Sequence, residues 1–503
     1  MPASPLPLGT ISLDGDAGRP LYRQLYDALR EAILDGRLHP GARLPSTRML
    51  AGELAVGRNT VLAAYEQLTA EGYLEGQVGS GTQVAALLPD NLLLLDRRSK
   101  RQRSERGSKA ARRSLSHRGD SLSATKRLAV GYTRGKGRAF QHGLPALDLF
   151  PAMLWSRLVA RHSRETRSSL FGYETGIGLP ALRRAIATYA GAARGVVCTA
   201  DQVIVTTGAQ GALDLAARML LDPGDPVWVE EPGYLGARGA LLGAGATLVP
   251  VPVDGEGIDI VAGIARQPSP RLVHVTPSHQ FPLGATLSLQ RRLALLDHAG
   301  KCGAWIIEDD YDSEYRYQGR PVPSLQGLDR TESVIYMGTF AKTLFPALKI
   351  GYLIVPKHLV DAFGTAIRIT GHVPPASLQA ALADFIGEGH YGSHVRRMRS
   401  LYAERRSIVL SALENELSPY LRAAPGEGGL QLSAFLADGA NDGAICEEAA
   451  KAGLHVSPLS FYRLEEGRPG LYMGYASVPE AELKHAAESL AGVLHAAGAP
   501  RFP

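Results

Sequence analysis

Ala304-Trp305-Ile306-Ile307-Glu308-Asp309-Asp310-Tyr311-Asp312 is an apolar strand pattern that runs straight into a cluster of acids. A short run bounded by charge fits a fully buried strand. Carboxylates just past the C-terminal end of such a strand sit where open α/β sheets bind ligands. Working outward, Val334-Ile335-Tyr336-Met337 repeats the pattern and is followed by Gly338-Thr339-Phe340-Ala341-Lys342. Upstream, Val203-Ile204-Val205-Thr206 leads into Gly208-Ala209-Gln210-Gly211-Ala212, which opens a helix carrying Leu213, Leu215, Ala216 and Met219. The N-terminus of such a helix offers free N–H groups and a favourable dipole to an anion. Strand and helix patterns alternate from about Ala139 to Pro503, which predicts an α/β domain with a largely parallel sheet.

An acid, a lysine and an anion-binding turn at strand ends suit pyridoxal 5′-phosphate (PLP). Its aldehyde needs a lysine amine, its pyridine nitrogen a carboxylate that keeps the proton, and its phosphate N–H groups and a cation. Each feature alone has a plainer reading: carboxylates can hold Mg²⁺, a lysine after a strand is usually solvated, and small-residue turns also form for packing. It is their combination that selects the cofactor. No set of residues is assigned to a metal, because Cys198, Cys302 and Cys446 are too scattered for a C-x-x-C site or a disulfide framework. Three such cysteines fit a reducing cytosol.

Residues 20–85 form a second pattern. Leu21, Leu25, Leu29 and Ile33 recur at helical spacing up to Gly36. Ser46 is placed to cap a short second helix with Leu50 and Leu54 inward. Ala55-Val56-Gly57 turns the chain into a third helix from about Arg58 to Glu71, and a hairpin over residues 73–84 follows. This order is that of a winged helix-turn-helix, an α+β module whose third helix enters the major groove N-terminus first. Arg58, Asn59 and Thr60 then face bases or phosphates, while Ser46, Arg48 and the wing-tip residues Ser80 and Gly81 hold the backbone. Three short helices and a hairpin also build protein-interaction modules. Residues 1–85 hold seven arginines, no lysine and nine acids, so charge does not favour DNA; order and spacing do.

The 503-residue chain carries a net charge of +5, but between Arg97 and Arg138 fifteen basic residues face two acidic ones. The rest of the chain is therefore net acidic. Residues 86–138 are rich in Ser and Gly and too poor in apolar groups to repay ordering, so we expect a basic flexible linker spanning about 40 Å. It is a solvated spacer, with or without contact to DNA phosphates. A length of 503 residues fits two or three domains. The apolar run Ala240–Val253 is broken by Gly and Pro and is too short to span a bilayer, and Met1–Thr10 lacks the pattern of a secretory leader. We expect no membrane partner.

The motifs carry a resemblance. Leu44-Pro45-Ser46-Thr47-Arg48, Gly57-Arg58-Asn59-Thr60-Val61, Ala64-Tyr65-Glu66-Gln67-Leu68, Glu71-Gly72-Tyr73-Leu74 and Gly79-Ser80-Gly81-Thr82 resemble the winged helix of GntR-type bacterial regulators, most of all the MocR subgroup. Glu308–Tyr317 and Tyr336–Lys342 resemble that subgroup's fold-type-I PLP-dependent aminotransferase-like domain. The resemblance implies that Lys342 forms the aldimine, that Asp309 pairs with the pyridine nitrogen and that Tyr311 meets the ring hydroxyl. It also implies that Tyr234 stacks on the ring, that Ala209 and Gln210 form the phosphate turn, and that His279 faces the ring hydroxyl. The sequence departs from the pattern in several places. Gly57 stands where the family usually has Ser, Gln77 where a wing Arg is expected, and Lys349 where an arginine holds the phosphate. No arginine matches the one that grips an amino-acid carboxylate; Arg463 and Arg468 are nearby candidates.

The expected domains are 1–85, a winged helix-turn-helix; 86–138, the linker; and 139–503, the aminotransferase-like effector domain. The expected function is a PLP-dependent transcriptional regulator. It binds promoter double-stranded DNA and senses a small amine or amino-acid effector, or PLP itself, through Lys342. The resemblance implies a head-to-tail homodimer in the bacterial cytoplasm, at the nucleoid when on DNA. A catalytically competent aminotransferase with a DNA-binding domain attached is the alternative.

Overall fold

The structure is a computed structural model and describes residues 11, 13–14, 18–77, 81–86, 88, 114–124, 137–164, 172, 176–317, 319 and 322–503. It divides into two units, residues 1–114 and 115–503.

In the first unit, the helical spacing at Leu21–Ile33 yields α1 (Leu21–Leu34), with Leu25, Leu29 and Ile33 buried. Ser46 caps α2 (Thr47–Glu53) by accepting a hydrogen bond from Met49 N. Gly57 provides no side-chain cap to α3 (Arg58–Ala70), which buries Val61, Ala64, Tyr65 and Leu68. The Tyr65 hydroxyl donates to the Pro45 carbonyl at 3.0 Å and ties α3 to the entry of α2. β1 (Leu74–Gln77) pairs antiparallel with β2 (Gly81–Val84). Residues 41–44 extend this ladder, since Leu44 N donates to Thr82 O and Val84 N to Ala42 O. Expected order and observed order agree.

Most of the expected linker lies outside the described residues. One part of it departs from a spacer: His117–Ala124 is a helix. Leu122 packs on Gly243 of the helix Leu235–Ala244, so one of the scarce apolar side chains of this stretch finds a partner.

The second unit holds two sheets. β3 (Val203–Thr206), β4 (Pro226–Glu231), β5 (Thr247–Asp254), β6 (Gly257–Ile258), β7 (Leu272–Val275), β8 (Trp305–Asp310), β9 (Val334–Thr339) and β10 (Gly351–Ile354) form the larger one. Its order is β3-β10-β9-β8-β7-β4-β5-β6. Strands β9, β8, β7, β4 and β5 run parallel, as expected. β10 is antiparallel to both β9 and β3. The cause is its link to β9: a parallel crossover needs a dozen or more residues and usually a helix, whereas a short loop returns the chain antiparallel. Gly351 pairs with Thr339 on one side and Thr206 on the other. A Cβ at Gly351 would lie 2.8 Å from the Gly208 carbonyl carbon and 3.0 Å from Gly338 O, so only glycine lets the three backbones close up.

Apolar clusters cover both faces of this sheet. A smaller antiparallel sheet, β11 (Leu421–Ala423), β12 (Gln431–Leu436), β13 (Ser457–Pro458) and β14 (Gly470–Gly474), packs with the helices His390–Glu414 and Glu480–Ala496 around a core of its own. Among the described residues no helix is long and apolar enough to cross a membrane.

Because each unit has its own core, Leu68→Ala in α3 is expected to cost about 2–5 kcal/mol in the first unit alone. In calorimetry this lowers one melting transition and leaves the other in place; a shift of both would show that the units melt as one.

Candidate functional site

The parallel strands deliver their C-terminal ends to one edge of the large sheet, and the candidate residues follow from there. β8 alternates its side chains, so neighbours in the acid cluster part company. Glu308 is fully buried and accepts from Leu325 N and Gln326 N, with the Arg292 guanidinium at 4.0 Å. Asp310 accepts from Arg194 Nε at 2.7 Å and from the Tyr336 hydroxyl at 2.6 Å. Both are structural. Asp309 faces the other way, with His274 Nε2 3.5 Å from its Oδ2. Burial pushes the Asp309 carboxyl up, and His274 opposes this. The three carboxylates do not converge on one point.

Lys342 leaves β9 three residues after its end. Burial pushes its amine below the usual lysine range, while Asp312 and Asp309 pull the other way. A lowered pKa keeps more of the amine uncharged, as a nucleophile requires. Nζ donates to the Gly143 carbonyl at 2.9 Å. Gly143 has φ +72, and a Cβ there would lie 2.8 Å from Nζ. From Gly143 a chain of polar contacts returns to the site. Gly143 N donates to Gln431 Oε1 at 3.1 Å, and Gln431 Nε2 donates to Asp312 Oδ2 at 3.2 Å. Both Asp312 oxygens lie 3.2 Å from His279 Nδ1, which is 3.0 Å from the Tyr311 hydroxyl. Burial holds the Tyr311 phenol well above its usual range, so it keeps its proton.

The register Thr206–Gly351–Thr339 sets the anion end. It brings the helix Gly208–Leu220, which follows β3, beside the residues that precede β10. The first turn of that helix holds Ala209 and Gln210, whose N–H groups have no carbonyl four residues back. The Gln210 side chain turns aside to donate to Gly236 O at 2.9 Å. Lys349 sits at φ +53, a conformation uncommon outside glycine, with its backbone packed on Gly208. Its side chain is exposed. Tyr234 begins the helix Leu235–Ala244, and its ring centre is 5.4 Å from that of Phe281, which is 6.2 Å from Tyr311.

The structure thus links Lys342 to His279 and Tyr311 through Gly143, Gln431 and Asp312, links Tyr234 to Tyr311 through the Phe281 ring, sets Asp309 where its charge is felt at Lys342, and brings the backbone of Lys349 to the helix turn that holds Ala209 and Gln210. It does not bring Arg463 and Arg468 into this group. Arg463 Nη2 reaches back to the Arg468 carbonyl at 3.5 Å, and burial lowers its pKa while Glu231 and Asp442 raise it. Arg468 lies over the Phe435 ring at 4.7 Å. Both belong to the turn between the 3-10 helix Leu459–Tyr462 and β14, which folds on itself. Sequence reading missed Gly143, Gln431, Asp312 and His274. Asp312 stood inside the quoted acid motif; the pairing of Gly143 with Gln431 spans 288 residues and leaves no local trace.

These residues fit PLP. Asp309 is buried, burial disfavours its charged form, and a pyridinium N–H would supply a cationic partner that stabilises it. In the first unit, Ser46, Arg48, Arg58, Asn59 and Thr60 share one region: Arg58 Nε reaches Thr47 Oγ1 at 3.4 Å, joining the N-termini of α2 and α3. Arg48, Arg58 and Asn59 are exposed and Thr60 is half-buried. Gly81 opens β2, and Ser80 lies outside the described residues.

Comparison with known proteins matches residues 154–490 to the aminotransferase class I and II family and residues 21–84 to the gntR family of bacterial regulatory proteins. The chain is 46% identical over 480 residues to the probable rhizopine catabolism regulatory protein MocR of Rhizobium meliloti, covering 95% of this chain and 94% of that one. It is 34% identical to the pyridoxine biosynthesis transcriptional regulator PdxR of Corynebacterium glutamicum, over 92% of this chain and 93% of that one. Among solved structures it is similar to LysN, an α-aminoadipate aminotransferase of Thermus thermophilus, with a TM-score of 0.69 and 27% identity. That match covers 76% of this chain and 97% of LysN. A kynurenine aminotransferase of Pyrococcus horikoshii matches with a TM-score of 0.67 and 25% identity, over 78% of this chain and 98% of that one. This fold is of the PLP-dependent type. A gntR helix-turn-helix unit precedes an aminotransferase-type unit in one chain, and the chain belongs to the MocR subgroup of GntR-type transcriptional regulators.

Proposed function

We propose that the second unit binds PLP at Lys342 and that the regulator uses it to sense a small amine or amino acid. The observation that carries this reading is the convergence of Lys342, Asp309 and the Lys349–helix N-terminus pair at one sheet edge. When bound, the group supplies an aldehyde that exchanges one amine for another and a pyridinium that withdraws electrons. The protein's own residues do the rest. Asp309 holds the proton on the pyridine nitrogen, with His274 behind it. Tyr311 and His279 present polar atoms to the ring hydroxyl, and Tyr234 covers a face of the ring. Ala209 and Gln210 N–H groups and the Lys349 ammonium take the phosphate; a lysine keeps the charge of the family arginine but loses its two-pronged geometry.

When the group is bound, an effector amine would compete with Lys342 for it, and a released Lys342 amine would be free to donate to Gly143 O, the bond it makes in this structure. A ligand that favours one arrangement of the chain over another shifts the population of DNA-binding states. The promoter is read by Arg58, Asn59 and Thr60, with Ser46, Arg48, Ser80 and Gly81 on phosphates. Working as a head-to-tail homodimer in the cytoplasm completes this reading. Lys342 and Asp309 also suffice for proton transfer, which favours slow transamination as a second reading; release of a keto acid from a supplied amino acid would establish it. Gel shifts on the promoter of the chain's own or a neighbouring gene, with and without PLP and amines, test the first.

Lys342→Ala is expected to abolish the visible absorption that survives gel filtration of the PLP-loaded protein, with the circular dichroism unchanged; retained colour would refute the assignment. Gly143→Ala is expected to cost about 1 kcal/mol through its positive φ and to weaken PLP retention, because the added methyl meets Nζ; equal retention would mean that the segment yields freely. Arg58→Ala is expected to weaken the specific site by about 1–3 kcal/mol. An equal loss on all sequences would mark Arg58 as a phosphate contact.

A further inference from the structure

Leu62 of α3 stands among the residues assigned to the bases yet carries no polar side-chain atom, and its role rests on the reading of α3 as the helix that enters the groove. α3 buries Val61, Ala64, Tyr65 and Leu68 in the core of the first unit. Its opposite face is exposed and holds Arg58, Asn59, Leu62 and Glu66. Among the described residues of α3, Leu62 is the one large apolar side chain on that face, 40% exposed. At 3.6 residues per turn it lies about 40° round the helix axis from Arg58 and about 60° from Asn59. It therefore stands between them, one turn further along.

An exposed leucine is by itself ordinary, and Leu34 at the end of α1 is 41% exposed. Position separates the two. With a rise of 1.5 Å per residue, Leu62 is about 6 Å along the axis from Arg58, within the roughly 8.5 Å depth of a major groove, and Glu66 at about 12 Å is beyond it. Arg58, the neighbour one turn back that could cover Leu62, turns its Nε to Thr47 Oγ1 of α2 at 3.4 Å instead. Residues 1–85 hold nine acids against seven arginines, so attraction to phosphates gives this unit little, and contacts to base edges carry its selectivity. A polar base edge pressed against Leu62 would lose its water and gain no partner. The one apolar feature that a base pair shows in the major groove is the thymine 5-methyl group. We infer that Leu62 packs on a thymine 5-methyl and makes the chain select thymine at one position of its site, beside those read by Arg58 and Asn59.

Full-length protein first enriches its preferred duplex from a random DNA pool. Each thymine of that duplex is then replaced singly by deoxyuridine, which lacks only the 5-methyl group, and affinity is measured by fluorescence anisotropy at one salt concentration. At one thymine the unaltered chain is expected to lose about fourfold on replacement, the weight of one buried methyl. Leu62→Ala is expected to bind the thymine duplex about fourfold more weakly or worse, and to bind the thymine and uracil duplexes equally at that position. Leu34→Ala, the matched exposed leucine, is expected to keep the thymine preference. Indifference of the unaltered chain to uracil at every position overturns the inference, and so does a thymine preference that Leu62→Ala leaves in place. In either case a loss of specific binding in Arg58→Ala still upholds α3 as the reading helix. A chain that enriches no sequence from the pool overturns both.

Discussion

The pairing of Gly351 with Thr339 on one side and Thr206 on the other is the constraint on which the site depends. It folds the loop of residues 340–350 back on itself and holds both ends of that loop in one ladder. Lys342 leaves one end and Lys349 closes the other, so the backbones of both lysines are positioned by the same hydrogen bonds. The third participant, the helix N-terminus after β3, is drawn in because β3 pairs with the far side of β10. A side chain at position 351 would separate these backbones, which is why the register and the glycine belong together.

Around this ladder, buried charges are arranged by the period of the strand. Glu308 and Asp310 project from one face of β8 and are consumed by backbone N–H groups, Arg194 and Tyr336. Asp309, between them, projects toward the lysine. Three adjacent acids thus part in two directions: two fasten the sheet to the elements behind it and one stays on the side of Lys342. The Gly143–Gln431–Asp312–His279 chain ties the segment around Gly143, the small sheet and the C-terminal end of β8 into one polar path. Lys342 joins this path through its hydrogen bond to Gly143 O.

Much of this was legible in the order of residues. Short apolar runs named the strands because a buried strand must be apolar on both faces. The spacing of Leu25, Leu29 and Ile33, with the Ser46 cap, named the winged helix, because local periodicity and capping act within a few residues. The antiparallel direction of β10 was not expected, since a strand's own composition does not record which neighbour it joins. The helix His117–Ala124 was missed because its few apolar residues acquire value only against Gly243.

The sequence by itself determined the winged helix, the strand ends and the candidates Lys342 and Asp309, all of which rest on patterns local in the chain. The tertiary structure alone decided which of three acids faces the lysine, that Gly143, Gln431 and Asp312 form a polar path from it, and that Arg463 and Arg468 lie in a turn of their own. Those outcomes depend on strand register and on contacts between residues hundreds of positions apart, and no local spacing encodes a contact whose two halves meet only after the sheets have packed.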